Sequence, residues 1–278
     1  MTRRYSILAA AILGCAGAAI AQPADDAAIS AFVQVHTVGT HIGRAARWDD
    51  AICPAVEGLP DNFKKFVVQR IKTVALAAGA KVDADGCKAN VNVVFTSNPQ
   101  ALLNSIRAGN PAMIGYYESS AQADKLATVT HPIQAWYVTK TVDLRGKFTV
   151  DTRYGRATQN YDSQASAGTR MSDGLVSAFY SIMIVADPSK LGDHEIGALA
   201  DNIAVLALSQ PATLDTCTAL PSIVNLSLAG CTAATALTGM SASDGAFLYG
   251  VYHMRPGTSR GAQRDAIGFS MKDKLAGK

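Results

Sequence analysis

Residues 191–211 read "LGDHEIGALADNIAVLALSQP". From Ile196 to Leu208 the chain is almost wholly apolar or small, and no proline interrupts it. Such a run has no polar stripe, so it predicts a helix buried on all sides. The stretch before it, "FYSIMIVAD" (179–187), is nearly continuously apolar and predicts a buried strand. A buried strand feeding a buried helix makes the centre of a layered α/β arrangement.

Further elements follow outward from this pair. "PDNFKKFVVQRIKTVALAAGAKV" predicts a helix with Asp61 as N-cap after Pro60 and Gly79 as its stop. Phe63, Phe66, Val67, Ile71, Val74 and Ala78 form its apolar face, with Lys64, Lys65, Arg70 and Lys72 elsewhere. "NVNVVFT" (90–96) alternates and predicts a strand; 99–109 predicts a short helix closed by Gly109. Residues 133–154 predict a hairpin turning near "DLRG", on which Trp136 and Tyr137 serve packing. Residues 153–174 carry no periodicity and predict a long surface excursion. After Pro211 only short helical stretches are expected. The best is 241–252, where Ser241 and Asp244 can form a capping box. The fold class expected is α+β: a mixed sheet with flanking helices and a small helical C-terminal subdomain. The divisions are 1–21, a signal peptide; 22–30, a flexible N-terminus; 31–211, the α/β core; and 212–278, the helical part packed on it.

Hydrophobic residues make up 49% of the 278 and charged residues 17%, which suits a full core and argues against disorder. Arg3 and Arg4, an apolar run and "AIA" ending at Ala21 form a secretory signal. "ILGC" (12–15) also approximates a lipoprotein box, with Cys15 as the lipidated residue. Removing residues 1–21 takes two arginines and no acid, lowering the formal net charge from +3 to +1. That balance gives no footprint for nucleic acid. No run after the signal is long and apolar enough to span a membrane. Cys53, Cys87, Cys217 and Cys231 remain, an even count suited to disulfides in an oxidising space. Three pairings are possible, and chain order favours Cys53–Cys87 with Cys217–Cys231.

The opening stretch holds a His-Glu pair. Zinc peptidase helices need a second His four residues after the first, so that both imidazoles reach one ion. In "HEIGA" (194–198) that place is Ala198. Asp193, His194 and Glu195 are instead expected in a solvated first turn, where acids suit the helix dipole. His36, His41, His131 and His253 make no ligand pattern. "GTSRG" (257–261) matches the G-x-S-x-G of serine hydrolases, but no His follows Ser259, so it is expected to be a loop. No phosphate-binding or dinucleotide-binding glycine motif occurs. No cofactor is expected.

Several segments carry a resemblance. "GRAARWDDAICPAVEGLP", "NVNVVFTSNPQALL", "HPIQAWY" and "LADNIAVLALSQP" resemble a family of uncharacterised exported bacterial proteins, over most of the mature chain. More distantly, the order of elements resembles the zincin metallopeptidase architecture, most strongly over 179–252. "LADNIAVLAL" (199–208) is similar to the zinc helix, "PSIVNL" (221–226) to the segment below the site, and "MSASDGAFLYGVY" (240–252) to the closing helix. The resemblance implies a register that puts Asp201 and Val205 at the two His positions and Asn202 at the catalytic Glu. Val205 cannot bind metal and Asn202 cannot act as a base.

These readings lead to an exported envelope protein, periplasmic or secreted, that binds or scaffolds without catalysis. Its expected partner is a peptide or another envelope component. Asp201 and Asn202 are candidate cleft residues. The alternative is a periplasmic hydrolase with a non-standard active site. Export predicts a mature N-terminus at Gln22, which N-terminal sequencing or intact mass decides. Retained Met1, or a diacylated Cys15, would contradict processing after Ala21.

Overall fold

The computed structural model describes residues 25–152, 174–231, 234 and 236–277. The signal segment, Cys15 and the excursion at 153–173 lie outside the described residues. Five strands form one sheet: β1 (Pro54–Glu57), β2 (Val91–Phe95), β3 (Ile133–Val142), β4 (Phe148–Asp151) and β5 (Val176–Ala186). Their order is β1-β2-β5-β3-β4. β1, β2 and β5 run parallel, while β3 is antiparallel to both β5 and β4. The sheet is therefore mixed, and with its flanking helices the fold is α+β.

Side-chain alternation sends the central strand to two cores. Ile182, Ile184 and Ala186 of β5 enter the larger cluster with Val91, Val93 and Phe95. Met183 and Val185 face the opposite side, where they meet Trp136, Leu103 and Ile114. That smaller layer comes from α3 (Pro99–Gly109), the 3-10 turn Pro111–Ile114 and α4 (Ser120–Leu126). The larger layer is built by α1 (Asp26–His36), α2 (Asp61–Ala78), α5 (Ile196–Leu208), α6 (Ala242–His253) and α7 (Arg260–Leu275). α5 is its axis: Ala198–Leu208 are all buried, as the apolar run requires. α6 and α7 contribute Phe247, Val251, Ile267 and Met271 to this same cluster, so the part after residue 211 shares the core of the sheet.

A helix buried this completely cannot leave its last carbonyls to water. Each has a donor. Ser209 donates its N–H (3.0 Å) and its hydroxyl (2.9 Å) to Val205 O. Tyr137 OH reaches Leu206 O at 3.0 Å, Trp48 Nε1 reaches Ala207 O at 2.7 Å, and Tyr252 OH reaches Leu208 O at 3.1 Å. Burial pushes both tyrosine phenols far above their usual range, so they remain donors at any ordinary pH.

The cysteines pair as Cys53–Cys87 and Cys217–Cys231, with Cα atoms 6.0 and 5.5 Å apart. Two disulfides fit an oxidising, extracytoplasmic space. No helix among the described residues is long and apolar enough to cross a membrane.

Several local expectations are corrected. The segment 22–30 was expected to be flexible, yet α1 starts at Asp26, capped by the Asp25 carboxylate on Ala27 N. Ile29, Phe32, Val33 and His36 recur at helical spacing and are buried, which orders the chain from Asp26; residues 22–24 lie outside the described residues. Asp61 is the first residue of α2 rather than its cap; Pro60 holds the cap position. Phe63 and Phe66 are exposed at 40% and 44%. Lys72 is instead buried, because its ammonium meets Asp83 O at 3.1 Å and the Asp85 carboxylate at 2.7 Å. Gly79 stops α2 as expected, with φ 94°. Asp193 and His194 precede α5, and Glu195 is its cap residue. "GTSRG" is a turn at 257–259, as expected, that leads into α7 at Arg260; Ser259 caps that 16-residue helix by accepting from Ala262 N at 3.3 Å. The Ser241–Asp244 capping box is present.

The three aromatic donors generate a stability prediction. Tyr252→Phe and Tyr137→Phe each remove one oxygen and leave a buried carbonyl without its donor. Each should cost about 1–3 kcal/mol in urea unfolding. Wild-type stability in both would show that these carbonyls find other partners.

Candidate functional site

Asp201 and Asn202, the residues singled out from sequence, are both buried on α5. The Asp201 carboxylate pairs with the Arg70 guanidinium through Nε to Oδ1 and through Nη2 to Oδ2, the latter at 2.9 Å. Its Oδ2 also accepts Met240 N at 2.8 Å. The neighbouring helix α5 thus gives the partly exposed Arg70 of α2 a buried carboxylate partner. That carboxylate also holds the Arg70 side chain more firmly protonated than usual through that hydrogen bond. Asn202 Nδ2 donates to Ile223 O at 2.7 Å and to Val224 O at 3.3 Å. Val205 is fully buried in the apolar cluster. The two polar residues thus fasten α5 to α2 and to the chain at 223–240. They do not line the cleft described next.

That cleft has a volume of about 790 Å³ and lies at the open edge of β3. β4 pairs only with Thr139–Val142. Beyond it, no described strand covers Ile133–Val138 on the side away from β5. The direction of the edge groups can be worked out. Asp187 N donates to Pro132 O at 2.8 Å, so residue 132 faces β5. Hydrogen-bonding direction alternates along a strand, so Ile133, Ala135 and Tyr137 present their backbone groups away from β5, with Gly115 packed on that side at Tyr137. Gly115 agrees with this: a Cβ there would stand 2.5 Å from Tyr137 O. The same residue has φ 95°, so glycine is required twice over. Gln134 and Trp136 line the cleft from one sheet face, and Ala135 and Tyr137 from the other. The cleft therefore wraps the strand edge. Its remaining wall includes His41, Tyr116, Gln122, Thr130 and Gln210, with one charge of each sign from Glu118 and Lys125.

One titratable pair stands at this wall. His41 Nδ1 lies 3.6 Å from Asp151 Oδ2; the imidazole is partly exposed and the carboxylate is buried. Thr139 Oγ1 donates to Asp151 Oδ2 at 2.7 Å and Thr141 Oγ1 to Oδ1 at 3.0 Å. Burial raises the Asp151 carboxyl above its ordinary range, against the opposing pull of these hydroxyls and of His41. The His41 ring stacks on Tyr116 with centroids 4.7 Å apart. Its loop is closed by Thr40 N and Thr40 Oγ1, both donating to Arg44 O, at 2.8 and 3.0 Å. A second pair, His131 Nε2 with Asp215 Oδ1 at 2.8 Å, ties the start of β3 to the chain after α5.

Sequence reasoning tested His41 only for metal spacing and passed over Asp151. A signal existed: Thr139, Thr141, Thr149 and Asp151 are polar residues at inward positions of a hairpin. Polar side chains on a buried face need partners, and such a set marks a site or a network.

Among the described residues, no group of three or more His, Cys, Asp or Glu side chains is placed to hold a metal ion. Comparison of the chain with protein families, with curated proteins and with solved structures finds no match.

Asp201→Ala strips partners from Arg70 and from Met240 N–H. It should lower unfolding stability by about 1–3 kcal/mol, discounted toward the lower end because Arg70 is partly solvated. Metal content should be unaffected, and a chelator should leave the melting temperature unchanged. Stoichiometric zinc lost in Asp201→Ala would overturn this role.

Proposed function

We propose that this is an extracytoplasmic binding protein, periplasmic or secreted, which takes an extended polypeptide along the open edge of β3. The open edge itself carries the reading. Ile133 and Ala135 offer backbone donors and acceptors at the floor of a cleft large enough for several residues, up to the point where Gly115 covers Tyr137 O. An extended chain laid there gains main-chain hydrogen bonds as an added strand. Hydroxyl and amide side chains around it suit a sequence-tolerant, polar contact. The zincin resemblance supports the same placement. β5 feeds the buried helix α5, and its antiparallel neighbour β3 offers the edge. The positions that would hold zinc are occupied by Asp201 and Val205, and the position of the base by Asn202. Zinc peptidase chemistry is thus no part of the proposed role.

The test uses the mature chain and a library of labelled ten-residue peptides rich in Val and Thr, followed by fluorescence anisotropy. Binding peptides should lose affinity when alternate backbone nitrogens are methylated. Ala135→Pro removes one edge N–H from β3 and should weaken binding at least about tenfold, near 1.4 kcal/mol. Unchanged affinity in Ala135→Pro, with the fold intact by circular dichroism, would place the ligand elsewhere. Absence of binding across the library would reject the reading.

A further inference from the structure

We propose that His41 and Asp151 form an acid–base dyad that hydrolyses an ester or amide carbonyl of a chain held in the cleft. The proposal rests on that cleft being the binding site and goes beyond binding alone. Four features of the geometry carry it. His41 is partly exposed at the wall of the cleft, where a bound carbonyl can be reached. Behind it the buried Asp151 faces Nδ1 rather than Nε2. Both Asp151 oxygens are fixed by Thr139 and Thr141 hydroxyls, so the carboxylate cannot swing away. Tyr116 stacks on the imidazole and sets its plane, while the turn at Thr40–Arg44 holds its backbone.

A carboxylate at Nδ1 favours the tautomer with its proton on that nitrogen, leaving the Nε2 lone pair for the substrate side. The 3.6 Å separation is longer than a formed hydrogen bond; such contacts commonly tighten when substrate is bound. The step follows from this arrangement. Nε2 takes a proton from a water molecule as the water oxygen bonds to the carbonyl carbon. The tetrahedral intermediate then collapses: the bond from carbon to the leaving oxygen or nitrogen breaks, and the imidazolium returns the proton to that leaving group. Water is consumed, an acid and an alcohol or amine are released, and no oxidant or metal is needed. His41 is the catalytic residue. Asp151 is a positioning residue that also stabilises the imidazolium as it forms.

The experiment measures the p-nitrophenyl ester of a binding peptide, and p-nitrophenyl acetate beside it, with the mature wild-type chain, His41→Ala and Asp151→Asn. Rates are compared at saturating probe so that changed binding is not read as changed chemistry, and peptide binding is followed separately by anisotropy. Wild type should exceed the buffer rate. His41→Ala should lose at least about a hundredfold in kcat, in keeping with general-base catalysis. Added imidazole should restore part of that loss, which a merely structural histidine would not allow. Asp151→Asn should keep the fold and the peptide affinity while lowering kcat, a split that a merely structural aspartate would not give. A His41→Ala rate equal to wild type, or wild-type binding without turnover above buffer, overturns the dyad and leaves the binding reading standing. His41-dependent hydrolysis of p-nitrophenyl acetate without peptide binding overturns the binding reading and keeps the dyad. Neither binding nor turnover overturns both.

Discussion

The fold depends on satisfying the C-terminal end of α5. Burying Ala198–Leu208 on every side gives the sheet its apolar floor, but it also strands four carbonyl groups where water cannot reach them. An unmet carbonyl in such a place costs about 1–3 kcal/mol. The donors come from four places in the chain: Trp48 before β1, Tyr137 on β3, Ser209 just after the helix, and Tyr252 on α6. These elements can therefore take only positions that bring a donor to the helix end. Apolar burial alone has no direction; the hydrogen bonds supply it.

The same logic runs through the polar interior on the other side of α5. Asp201 and Asn202 are the two polar residues of an otherwise apolar stretch, and each is spent on fastening a neighbour. Asp244 does likewise for the chain around Ser222, accepting Ser222 Oγ at 2.6 Å, Ile223 N at 2.9 Å and Ser241 N at 3.0 Å. The described residues between α5 and α6 include the 3-10 turn Ile223–Asn225 and no strand, and these contacts and the Cys217–Cys231 bridge take the place of a ladder. Closing a loop of about 15 residues by a disulfide is worth roughly 3 kcal/mol on chain-entropy grounds.

The buried strand and helix, the alternation of Val91, Val93 and Phe95, and the capping box at Ser241 were all legible because each is a local pattern with one physical reading. Two kinds of feature were not. α1 and α7 are amphipathic helices with mixed, small-residue sequences, and their stability comes from packing on each other and on α6. Lys272 to Asp26, at 2.7 Å, joins residues far apart in the chain. Phe63 and Phe66 failed for the converse reason: their spacing is helical, but α5 and β1 cover the adjacent face of α2. The site was the least legible part. Asp201 drew attention because the zincin resemblance put it at a metal-ligand position, yet Arg70 accounts for it. His41 is unremarkable in sequence, and it meets Asp151 because β4 folds back on β3 while the turn at Thr40–Arg44 stands beside the strand edge.

Their meeting place is a consequence of how the sheet ends. A register shift at Val138/Thr139 marks the point where β3 changes its pairing. β4 reaches only to Asp151, opposite Thr139. The last residue of β4 therefore lies where the free edge of β3 begins, and its side chain faces inward beside Thr139. The segment carrying His41 is brought there by the constraint that governs α5. Trp48 caps Ala207, and Arg47 donates to the carbonyls of Val251, Tyr252 and Met254 at the end of α6. Val38 N reaches Gln210 O at 3.1 Å, and Phe179 N reaches Arg47 O at 3.0 Å. With both ends of residues 38–48 fixed in this way, the turn at Thr40–Arg44 has to project beside the strand edge, and His41 comes with it. The groups that close the buried helix and the group that faces the cleft belong to one short segment, so disturbing the caps should disturb the wall of the cleft as well.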